Sequence, residues 1–101
     1  MDLTDNFSEK KFRRRDNIVS RKIAGEMFLV PVHGNLADMQ KIFSLSSVSE
    51  LIWDSLDGSS SMSSVLDAVL KEFDVGLDVA QRDLKELIDD LLGEGLIEET
   101  T

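Results

Sequence analysis

The chain has no cysteine and no tyrosine, and only one histidine, one proline and one tryptophan. Without thiols there are no disulfides, no thiolate zinc or iron–sulfur ligation and no cysteine nucleophile. The single histidine, His33, lies in the turn-rich stretch PVHGN and reads as a solvated turn residue. No apolar run approaches the roughly 20 residues needed to cross a bilayer. The opening MDLTDNFSEKKFRRRD carries charges where a signal peptide has its apolar segment, so a cytoplasmic protein is expected. The acidic pairs Asp89-Asp90 and Glu98-Glu99 have no phosphate-cradling loop nearby, and adjacent helical residues diverge by about 100°, so they read as solvated faces. Ser59, Ser60 and Ser61 have no base beside them. No catalytic residue, metal or cofactor is expected.

What is present is a globular composition. The 101 residues are 42% hydrophobic and 31% charged, which suits one domain with one modest core and leaves little room for a large enclosed active site. The net charge of −9 is unevenly spread. Residues 1–22 hold seven Lys/Arg against four Asp/Glu, a net of +3, and the other 79 residues carry −12. Such a body repels nucleic acid and anionic membrane. KKFRRR, residues 10–15, is a basic arm that is either solvated or guides an acidic peptide, an acidic enzyme or nucleic acid.

Residues 1–11 lack apolar period and read as a tail. NIVSRKIAGEMFLVPV reads as two strands joined by a tight turn in which Gly25 supplies positive φ, with Pro31 closing the second. Phe12 is expected to join or pack on the first of them. KIFSL, Lys41 to Leu45, alternates as a short third strand. Ser46 or Ser47 then caps a helix over 48–56, with Glu50 in capping-box relation to Ser47 and Trp53 as a packing anchor. Asp57-Gly58 ends that helix, and GSSSMSS is a linker offering Ser61 as the next cap. A second helix carries Met62, Val65, Leu66, Val69, Leu70 and Phe73. A third runs from Asp78 to about Leu92, with Ala80, Leu84, Leu87 and Leu91 on one face and Ile88 and Leu92 widening the stripe. Leu96-Ile97 docks the C-terminus, and residues 98–101 fray. The expected fold is α+β and winged-helix-like, a small three-stranded antiparallel sheet followed by three helices, occupying residues 12–97.

The segment KIFSLSSVSELIWDSLDGSSSMSSVLDAVLKEF, followed by LKELIDDLLGEGLI, resembles the PqqD family, named for coenzyme PQQ synthesis protein D and also known as peptide chaperones or RiPP recognition elements. The resemblance rests on Leu45, Ile52, Trp53, Leu56, Asp57 and Gly58, and on the closing Leu91, Gly95 and Leu96. Where family members commonly have Asn-Pro after the strand leucine, this chain has Ser46-Ser47, which leaves the subfamily open.

The resemblance implies a non-catalytic module that captures the leader of a ribosomally made precursor peptide. The leader adds a strand to the third strand's edge, at Lys41, Ile42, Phe43, Ser44 and Leu45. Its side chains meet the third helix, where Ile88 and Leu92 would supply apolar contact and Gln81 and Lys85 would hold polar groups. The peptide then passes to a modifying enzyme, often a radical SAM enzyme. Two other readings stand beside this one. An adaptor would recruit an enzyme without handling peptide. A winged-helix DNA-binding protein would read through the third helix, but Arg82 and Lys85 are the only basic residues of that acidic helix. The free edge also allows a monomer or an edge-paired dimer.

Overall fold

The computed structural model describes residues 6–16, 18–31 and 43–100. The expected hairpin is present: strands β2 (Ile18–Ile23) and β3 (Glu26–Pro31) pair antiparallel with Val19 opposite Val30 and Arg21 opposite Phe28. Their two-residue turn, Ala24-Gly25, has φ of 54° and 84°. Positive φ at both positions gives the turn whose twist matches the flanking strands. β4 (Phe43–Leu45) pairs with β3, Phe28 opposite Ser44, and completes a sheet of order β2-β3-β4. Alternation along these strands sends Leu29 and Leu45 into the core and leaves Val19 and Ile23 on the outer face, exposed.

The three helices follow. In α1 (Ser47–Ser55) the N-cap is Ser46, whose hydroxyl accepts from the Ser49 N–H at 3.2 Å. Glu50 therefore stands one residue beyond the box position, and its carboxylate takes Lys22 of β2 at 3.0 Å instead. Ser61 caps α2 (Met62–Glu72) by accepting from the Ser64 N–H at 3.2 Å. α3 (Leu77–Gly93) begins at Gly76 without a side-chain cap, and Asp78 lies in its first turn, where a carboxylate suits the helix dipole. Trp53 is buried, with the Arg14 guanidinium 5.9 Å above its ring.

A second sheet, of order β5-β1-β6, corrects three of the sequence expectations. The basic arm is the central strand, β1 (Lys11–Arg14). The serine linker is β5 (Asp57–Ser61), and the residues expected to fray form β6 (Ile97–Thr100). β1 joins neither β2 nor the hairpin sheet; it aligns Phe12 with Glu99 and Arg14 with Ile97. Three of the arm's five cations pair with glutamates of β6. Arg13 pairs with Glu98, Arg15 reaches Glu98 at 3.6 Å and Lys10 reaches Glu99 at 3.3 Å. Phe12 points inward, 2% exposed, and meets the buried Phe7 with ring centroids 6.4 Å apart, so part of the expected tail belongs to the core.

β5 owes its form to its neighbour, because Asp, Gly and Ser have little intrinsic preference for strands. Gly58 has φ of 85°, and a Cβ there would meet the Arg13 Cβ at 3.4 Å. The Asp57 carboxylate accepts the backbone N–H groups of Ser59 and Ser60, each at 2.9 Å. These bonds, Ser59 foremost, hold its pKa below the ordinary carboxylate range.

Two outcomes follow for stability. Phe12→Ala should lower the unfolding free energy by about 3–5 kcal/mol, measured in urea; a loss below about 1 kcal/mol would show that β1 lies outside the cooperative core. Asp57→Ala should lower the melting temperature at neutral pH. Because the folded pKa is depressed, that contribution is present above the unfolded value of about 3.9 and disappears as pH falls through the folded value. Melting curves of the two proteins should thus converge in acid, and a gap independent of pH would refute the assignment.

Candidate functional site

Among the described strands β4 pairs only with β3, so its other edge presents backbone N–H and C=O groups without a strand partner. Its side chains are already engaged. Leu45 is buried, Phe43 packs partly against the core, and the outward Ser44 hydroxyl donates to Glu26 Oε2 at 2.6 Å. What β4 offers is its backbone.

The residue after β4 opens a cleft. Ser46, Val48, Ser49 and Ile52 form one wall, Asp83, Glu86, Leu87 and Asp90 of α3 form the other, and the space between is about 220 Å³. On α1, Glu50 is drawn to β2 by Lys22, and Val48, Ser49 and Ile52 centre about 150° away around the helix. The cleft is therefore on the side of α1 turned from β2. Its floor is apolar, from Val48, Ile52 and Leu87, and its α3 rim is anionic. No three His, Cys, Asp or Glu among the described residues converge well enough to hold a metal ion.

The residues singled out from the sequence divide between two places. Phe43, Ser44 and Leu45 form β4, while Lys41 and Ile42 lie outside the described residues, as does His33. Lys85, Ile88 and Leu92 lie on a face of α3 about 180° from Asp83, Glu86, Leu87 and Asp90. There they border a depression of about 380 Å³ with Phe7, Lys10, Phe12, Asp89 and Glu99. Ile88 is fully buried, and the Lys85 ammonium sits 5.5 Å over the Phe7 ring and 3.0 Å from Asp89. Leu92 is 40% exposed, and Gln81 is half-buried without lining the cleft. Lys85, Ile88 and Leu92 thus face away from the cleft that opens beyond β4.

The cleft residues on α3 had a sequence signature. Asp83, Glu86, Leu87 and Asp90 follow i, i+3, i+4, i+7 spacing, a narrow acidic row around one leucine. The wider apolar border at Ile88 and Leu92 lies on the other side of α3, beside Phe7 and Phe12.

None of the helices described is long and apolar enough to cross a membrane. A search of curated proteins finds no match. Among solved structures the chain is similar to one described as TbiB1 in complex with the TbiA(beta) leader peptide, with a TM-score of 0.68 and 26% identity over 85% of this chain and 94% of that one. The family model for coenzyme PQQ synthesis protein D matches residues 26–97, which span β3, β4 and all three helices. The chain therefore belongs to the PqqD family.

Proposed function

We propose that this chain is a non-catalytic peptide chaperone. It captures the leader of a ribosomally made precursor peptide as an added strand on the free edge of β4, seats leader side chains in the cleft between α1 and α3, and presents the peptide to a modifying enzyme such as a radical SAM enzyme. The observation that carries this reading is the likeness to TbiB1 in complex with a leader peptide, at 26% identity over most of both chains. The free edge and the adjoining cleft support it physically.

Strand addition supplies main-chain hydrogen bonds that tolerate many sequences, and pockets beside the edge supply selectivity. Ordering a disordered leader costs about 2–5 kcal/mol of the gross interaction, whereas micromolar binding requires about −8 kcal/mol net. Backbone bonds exchanged with water contribute only about 1 kcal/mol each, so apolar contact with Val48 and Leu87 has to provide much of the rest.

In this reading Leu87 replaces Ile88 and Leu92 as the leader contact on α3, and the Lys85 face remains a packing surface for Phe7. Native mass spectrometry of the protein with the small-peptide fraction of its host should yield a bound precursor, and amide shifts on titration should concentrate on Phe43–Leu45, Val48 and Asp83–Asp90. Val48→Gln should weaken that peptide about tenfold while Leu92→Gln changes affinity less than about twofold, a loss of apolar contact on the scale of one buried side chain. If the shifts gather around Phe7 and Leu92, the leader lies on the opposite face of α3. If no peptide is captured, an adaptor that recruits an enzyme without handling peptide is the better account.

A further inference from the structure

The charge around the cleft narrows the class of peptide, an inference that rests on the peptide-capture reading above. Asp83, Glu86 and Asp90 stand along its α3 wall, and none of the residues lining it is cationic. Asp83 has a neighbour in Arg82 at 3.8 Å, but the side-chain carboxylates of Glu86 and Asp90 have no ion-pair or hydrogen-bond partner among the described residues. Most of the described cations are engaged elsewhere. Lys85 is held by Asp89 on the far side of α3, Lys22 by Glu50, Lys10 by Glu99, and Arg13 and Arg15 by Glu98. Arg14 lies over Trp53 with Asp54 at 4.0 Å. The basic arm thus has few free charges with which to select an acidic leader, whereas the cleft has unbalanced carboxylates where a peptide would lie.

We infer that the cleft selects leaders carrying basic residues, with two Lys or Arg side chains on one face of the added strand reaching Glu86 and Asp90 beside an apolar residue seated on Val48 and Leu87. The spacing fits. Positions four apart on a helix are separated by about 6 Å along its axis, and same-face residues of a strand repeat every ~7 Å. A strand laid along α3 therefore brings residues at i and i+2 opposite the two carboxylates. An acidic leader would place like charges against all three, which suppresses the wrong partner and slows encounter. Both carboxylates stand on exposed positions, so the interaction is screened by salt.

The test is selection from a random peptide display library on the full chain and, in parallel, on a double variant E86Q/D90N whose thermal unfolding is checked against the parent. Peptides recovered on the parent should be enriched in Lys and Arg at positions two apart. They should bind the double variant roughly tenfold more weakly at low salt, about two- to fivefold for each lost pair, and that difference should shrink at high salt. Peptides that shift the amides of Phe43–Leu45 yet show no basic enrichment, or bind parent and variant alike, would overturn the charge selection and leave peptide capture standing. Recovery of no peptide that perturbs β4 would overturn both.

Discussion

The structure depends on how α3 is buried. Leu84, Ile88 and Leu91 are wholly enclosed, and one flank of the helix is covered by Phe7 and Phe12 from the N-terminal segment. Those two aromatic rings are tied in turn to the C-terminus, because β1 is the strand on which β6 pairs. The opposite flank of α3 faces α1, separated from it by a cleft. Core formation and site formation are the same event in this small domain. A second sheet that joins β1 and β6 to β5 keeps the long helix in place, while in the hairpin sheet β4 has no second strand partner among the described residues.

Charge follows the same division. The second sheet gathers three cations of the basic arm against Glu98 and Glu99, which offsets part of the charge polarisation of the sequence there. Exposed pairs of this kind add little stability, each at most about 1 kcal/mol. Their larger effect is on the surface left over. With most cations of the arm paired, the acidic body of the protein dominates, and the row from Asp83 to Asp90 brings three carboxylates to one wall of the cleft. A peptide added to β4 would thus meet directional backbone groups, a small apolar floor and a field of one sign, three sources of affinity with different demands on its sequence. Backbone pairing asks only for an extended chain, the floor asks for an apolar residue, and the field asks for the sign of the neighbours.

An open edge strand is ordinarily an aggregation hazard. β4 is three residues long among those described, with Ser44 exposed on the outer face, and short polar edges are poor templates for self-pairing. The cleft adds a further filter, since a second copy of the chain would have to bring a complementary strand past the carboxylates of α3. Restricting the edge in this way is compatible with binding a flexible partner, which can thread where a folded surface cannot.

The helices and the hairpin were legible in the sequence because their determinants are local. Ser46 and Ser61 cap through bonds to N–H groups three residues on, Gly25 turns the hairpin beside Ala24, and apolar residues recur at helical spacing along α2 and α3. The buried position of Trp53 and the alternation that turns Leu45 inward were legible for the same reason. The second sheet was not, since Asp57–Ser61 has almost no strand propensity and acquires its form only when β1 lies alongside. Nor did periodicity choose between the two flanks of α3. Both combine leucine or isoleucine with charge, and the choice was made by Phe7 and Phe12, some 80 residues away along the chain. The sequence by itself determined the hairpin, the helices, the serine caps of α1 and α2 and the family to which they belong; tertiary structure decided the second sheet and which face of α3 lines the cleft with α1, because both depend on a pairing between distant parts of the chain that no local pattern encodes.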